Sequence, residues 1–83
     1  MSDSNENVSS GTFVIRNRLG LHARCATQFV KKASQFEEVE VFVTKEGQRV
    51  NGKKIMDLLM LAAPLGTRLT LEVRGPDPVR ANA

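Results

Sequence analysis

The chain alternates short β-favouring runs with two segments of helical period. Residues 12–16, Thr-Phe-Val-Ile-Arg, read as a strand, and residues 17–20 end it with turn chemistry closed by Gly20. Ala26, Phe29, Val30 and Ala33 then recur at i, i+3, i+4 and i+7, one apolar stripe of a helix reaching to about Ser34. Arg24, Gln28, Lys31 and Gln35 fall on its water side. Residues 38–44 switch to a period of two, with Val39, Val41 and Val43 on one face and Glu38, Glu40 and Thr44 on the other, Phe42 interrupting the polar side. Lys45-Glu46-Gly47 supplies a hairpin turn into a short strand at 48–51. Asn51 is expected to cap a second helix over 53–62, with Leu58, Leu61 and Ala62 toward the core and Met56 exposed. Gly66 opens a last strand, 67–73, whose Leu69, Leu71 and Val73 share a face.

This order, β-α-β-β-α-β, predicts an α+β domain: a four-stranded, largely antiparallel sheet with both helices on one face, which buries every apolar stripe at once. Residues 1–11 are polar and rich in Ser and Asn, too poor in apolar surface to offset the entropy of ordering them. They are expected to form a disordered tail, leaving 12–83 as the domain.

Composition narrows the class. Eighty-three residues hold one core, and 41% hydrophobic with 25% charged residues is the balance of a water-soluble globule. The longest apolar stretch, 58–65, is far short of the ~20 residues that span a bilayer, and no basic-then-apolar segment opens the chain, so membrane insertion is not expected. Cys25 is the sole cysteine, which excludes an internal disulfide and a multi-cysteine zinc cage; a reducing cytoplasm, with no metal and no cofactor, is the expectation. The net charge of +3 would steer acidic partners. Without Trp or Tyr, and with its four Phe at apolar-patterned positions, the chain offers no stacking platform, and no nucleic-acid partner is expected.

The candidate chemistry lies in Gly20-Leu21-His22-Ala23-Arg24, where a turn glycine hands the chain to a helix start. Unpaired N–H groups and the helix dipole favour an anion there, and Arg24 adds a guanidinium. The same positive field disfavours the imidazolium of His22, keeping a ring nitrogen free as a nucleophile. The plain alternative is a surface or capping histidine, which a lone histidine beside a helix start more often is. No second histidine or cysteine cluster supports a metal.

The Gly20–Arg24 segment, together with Ala26, Gln28-Phe29-Val30-Lys31, Gly52-Lys53-Lys54-Ile55-Met56, Leu61 and Gly66-Thr67, resembles the HPr family of histidine-containing phosphocarriers over about residues 12–77. The resemblance implies an open-faced β-sandwich of βαββαβα order and a carrier, rather than an enzyme, in the phosphoenolpyruvate-dependent sugar phosphotransferase system. His22, through Nδ1, would accept a phosphoryl group from enzyme I and pass it to an EIIA-type protein. Arg24 would pair with the phosphoryl oxygens, and the backbone N–H groups of Ala23 and Arg24 would help hold them. Docking would use Ile55, Met56 and Leu59, framed by Lys31, Lys53 and Lys54. The alternative within the resemblance is a regulatory module that docks on a kinase or transcription regulator with little role in sugar transport.

Three positions depart from the family pattern. Cys25 stands where proline is usual, and its thiol in an electropositive helix start is a candidate for oxidation or alkylation; a small half-buried residue is the plain alternative. Lys54 stands where many Gram-positive relatives have a regulatory serine, so that regulation is not expected. After the last strand, Pro76 and Pro78 interrupt the closing segment, so the C-terminal helix is expected to be shortened or absent, leaving part of the sheet open to self-association.

Overall fold

The computed structural model describes residues 7–75. In order they form β1 (Asn7–Val14), α1 (Ala23–Ala33), β2 (Glu40–Lys45), β3 (Gln48–Asn51), α2 (Ile55–Met60) and β4 (Arg68–Gly75). The strands make one sheet in the order β1-β4-β2-β3 with every neighbouring pair antiparallel. The last strand therefore lies inside the sheet, between the first and the second. Each helix connects strands that are not neighbours, and both lie over one face, as the apolar stripes require.

That face holds the core. Val39, Val41 and Val43 are buried, as their period-two spacing predicts; Leu58 and Leu61 pack with Val43, Leu69 and Ala26, while Val39 and Val41 form a second cluster with Ala33. Leu58, Leu61, Leu69 and Val43 are the largest fully buried side chains, each contributing about 1.5–3 kcal/mol by leaving water. The α1 stripe behaves as read: Ala26 and Ala33 are buried, Phe29 and Val30 half-buried. Phe42, the apolar residue on the polar side of β2, lies under the Arg49 guanidinium, 3.8 Å from the ring centroid. Arg49 in turn lies 3.6 Å from Glu72.

Four expectations need correction. Residues 7–11, expected in the tail, are the first five of the eight residues of β1, paired from Asn7 opposite Gly75 to Gly11 opposite Leu71. The β4 ladder supplies hydrogen bonds that the local sequence does not advertise. The tail expectation for residues 1–6 and the shortened C-terminal helix in 76–83 both lie outside the described residues. The second helix is shorter at both ends than 53–62. At its start Asn51 caps a turn, accepting the Lys53 N–H on Oδ1 at 2.8 Å, while Lys54 is the N-cap residue. At its end Ala62 takes a positive φ of 49° and is exposed, so it is not a core residue; the following Ala63-Pro64 disfavours further helix. Lys45 Nζ closes that end by donating to the Leu61 carbonyl at 2.8 Å.

Candidate functional site

The site is built where the loop before α1 meets the loop after α2. Gly20 N–H donates to the Asn17 carbonyl at 3.0 Å, closing a turn over Arg18 and Leu19, and Leu21 N–H donates to the Ala63 carbonyl at 2.7 Å. Gly20 has φ +75°, and a side chain there would run into the Ala63 and Pro64 backbone. Only glycine allows this approach. At the opposite ends of the helices, Lys53 Nζ donates to the carbonyls of Phe36 and Val39, both at 2.7 Å. The two helices thus run antiparallel, pinned at both ends.

His22 is the N-cap residue of α1, with extended backbone at φ −95° and ψ 178°. Its side chain makes no capping hydrogen bond, which removes the capping alternative. The first bond of the helix runs from Ala26 N–H to the His22 carbonyl at 2.9 Å, so helix geometry leaves the N–H groups of Ala23, Arg24 and Cys25 unused by the ladder. No acidic residue sits in the first turn to neutralise the dipole, while Lys31 and Lys32 occupy the last. His22 is half-buried, and Ala23 and Arg24 are exposed beside it. Imidazole, guanidinium and unpaired main-chain donors thus lie on one short segment, with Arg24 open to solvent.

The ring is engaged on one edge. Cys25 Sγ lies 3.4 Å from Nε2, and Asn17 Nδ2 donates to the same sulfur. Among the described residues Nδ1 has no hydrogen-bond partner. Cys25 is half-buried and free of any disulfide. The sequence marks Asn17 only as a turn residue; its contact with Cys25 spans the turn and carries no signature in local sequence.

The expected docking residues separate. Met56 is 68% exposed, as its helical position predicts. Ile55 and Leu59 are half-buried and pack against the core. Lys54 is exposed at the α2 N-cap, and Lys31 is exposed in the last turn of α1, roughly 12 Å along the helix from Ala23. Lys53 does not frame a surface: half-buried, it serves the two carbonyls beyond α1, a corrected expectation whose cause is the close packing of the α2 entry on that loop. Exposed apolar residues outside the expected set include Leu19 in the turn before His22 (79% exposed), Met60 on α2 (68%) and Leu65 in the loop after it (54%). The available signal was a leucine inside an otherwise polar turn.

Beside α1, on the same face of the sheet, Ser9, Gly11, Phe29, Phe36, Leu71 and Val73 line part of an apolar groove of about 460 Å³. The opposition of Gly11 to Leu71 and of Ser9 to Val73 leaves small residues where a large side chain would have filled it. Among the described residues no helix is long and apolar enough to cross a membrane.

A family model described as the PTS HPr component phosphorylation site matches residues 9–83. The phosphocarrier protein HPr of Neisseria meningitidis serogroup B is 55% identical over 67 residues, covering 81% of this chain and 74% of that protein. Among solved structures, the phosphocarrier HPr of Bacillus anthracis has a TM-score of 0.79 at 32% identity, over 90% of this chain and 88% of that one. Crh of Bacillus subtilis, a catabolite-repression protein whose crystal structure revealed a swapped dimer, has a TM-score of 0.67 at 42% identity, over 83% and 78%.

Proposed function

Since the chain belongs to the PTS HPr family and is a phosphocarrier of the phosphotransferase system, we propose that it carries the phosphoryl group on Nδ1 of His22. One observation carries this reading: an imidazole at the head of α1, unused as a cap, with Nδ1 unengaged beside main-chain N–H groups that the helix leaves unpaired. Arg24 and the N–H groups of Ala23 and Arg24 take the phosphoryl oxygens. The carrier performs no catalysis by itself, because its partners supply the remaining groups and the chain supplies a nucleophile, an anion nest and an open face.

Those partners are proteins of the phosphotransferase system, in this reading enzyme I as donor and an EIIA-type protein as acceptor. Leu19, Met56 and Met60 form the adaptable apolar part of the docking face, with Ile55 and Leu59 contributing their exposed edges and Lys31 and Lys54 steering acidic surfaces. A helix of six residues is about 9 Å long, so both methionines fall inside a footprint of ordinary size centred near His22. The groove beside α1, left uncovered by the described residues, is the face for self-association with a second copy.

Intact-mass measurement after incubation with enzyme I, magnesium and phosphoenolpyruvate tests the assignment. An acid-labile phosphoryl adduct, absent from His22→Ala, is expected. The likeness to Crh favours a second reading, a regulatory module, and retained partner binding with no adduct on the wild-type chain would favour it instead.

A further inference from the structure

The contact between His22 and Cys25 decides where the ring keeps its proton. Neutral imidazole carries one N–H, and the bond made by one nitrogen fixes the state of the other. We propose that Cys25 is a positioning residue for phosphoryl transfer: its sulfur accepts the Nε2–H of His22 and so holds the ring in the tautomer that leaves the Nδ1 lone pair free. This rests on the reading of His22 as the phosphoryl site.

The direction of that hydrogen bond follows from what surrounds the sulfur. Asn17 faces it with an amide donor, and the first turn of α1 faces it with the positive end of the helix dipole, undiminished by any acidic residue. Such surroundings favour sulfur as an acceptor. The spacing of three residues brings Cys25 to the same side of the helix as the N-cap, and both side chains are half-buried, so water competes weakly for the contact. Asn17 is itself held by the turn that Gly20 closes, which links the tautomer to the loop geometry.

The contact gains strength during the reaction. The Nδ1 lone pair forms the new N–P bond while phosphorus leaves the partner's phosphoryl-bearing atom, and that bond's electron pair stays with the partner. The Nε2 proton remains on the ring, which gains positive charge, so the bond to sulfur becomes charge-assisted. An interaction stronger after transfer than before it favours the transfer.

The test uses the full-length chain labelled with ¹⁵N, read by long-range proton–nitrogen correlation of the His22 ring at a pH where it is neutral. The Nε2–H tautomer is expected to dominate in the wild type, to lose that dominance in Cys25→Ala and to regain it in Cys25→Ser, whose hydroxyl also accepts. The rate of phosphoryl acceptance from enzyme I should fall about two- to tenfold in Cys25→Ala, the range of one net hydrogen bond, and recover in Cys25→Ser. Asn17→Ala, at an exposed position, should shift the tautomer in the same direction by less and stands in if Cys25→Ala fails to fold. A dominant Nδ1–H tautomer in the wild type, or an unchanged balance in the variants, overturns the proposal while His22 still takes phosphate. Phosphate arriving on any other residue overturns the underlying reading instead.

Discussion

Gly20 lies so close to Ala63 that a Cβ on Gly20 would collide with the Ala63 carbonyl, whose oxygen already accepts the Leu21 N–H at 2.7 Å. The same Cβ would stand 2.9 Å from Pro64 Cα, and the φ of +75° disfavours any side chain. Gly20→Ala combines strain with a backbone clash, for which about 2–4 kcal/mol of destabilisation is expected by urea unfolding. The loop carries His22 two residues later, so phosphoryl acceptance should fall even at temperatures where the variant stays folded.

Arg24 tests the charge that the phosphoryl group meets. Its side chain is exposed, so Arg24→Ala should leave the melting temperature nearly unchanged while slowing phosphoryl acceptance about tenfold or more, the scale of a lost charge-assisted hydrogen bond. Arg24→Lys should recover part of that rate, since it restores charge without the planar pair of donors. Equal rates in Arg24→Ala and the wild type would exclude the guanidinium from the site.

Lys53 and Met56 should fail in opposite assays. Removing the Lys53 ammonium takes the donor it shares between the carbonyls of Phe36 and Val39, leaving Phe36 only the longer bond from the Val39 N–H at 3.3 Å, so Lys53→Met should cost about 1–3 kcal/mol of stability and leave partner affinity close to normal. Met56 is exposed, so Met56→Asp should leave stability within about 0.5 kcal/mol and weaken enzyme I binding about tenfold or more by calorimetry. A loss of affinity in Lys53→Met at unchanged stability would return Lys53 to the docking face.

That reversal of roles shows what the residue pattern carried and what it did not. The alternation of Val39, Val41 and Val43 and the stripe of Ala26, Phe29, Val30 and Ala33 announce their faces because burial acts on each residue in turn. The segment Gly20–Arg24 likewise announces a helix start with an imidazole upon it. The first half of β1 is hidden because Ser9, Ser10 and Gly11 are poor strand formers, made into strand by pairing with residues sixty or more positions away. Asn51 was read correctly as a capping type but serves the turn at Lys53 rather than the helix. Lys53 bonds carbonyls 14 and 17 positions away and Asn17 meets Cys25 across a turn, and no local periodicity encodes which carbonyl or sulfur a side chain will meet.

The groove beside α1 predicts weak, reversible self-association. Its lining is apolar, yet eleven of the described residues line it where a stable interface takes roughly 20–30 a side, so dimers should appear by sedimentation velocity only toward millimolar concentration. Ser9 is exposed at its edge and opposite Val73, so Ser9→Glu puts a charge into the groove without disturbing the core. Among the described residues lining the groove, Lys32 is the only cation for a carboxylate there, and that pair would have to give up water to form. Ser9→Glu should therefore abolish the dimer at an unchanged melting temperature. A wild-type chain that sediments as a monomer throughout the millimolar range would show that the groove is not a contact between copies.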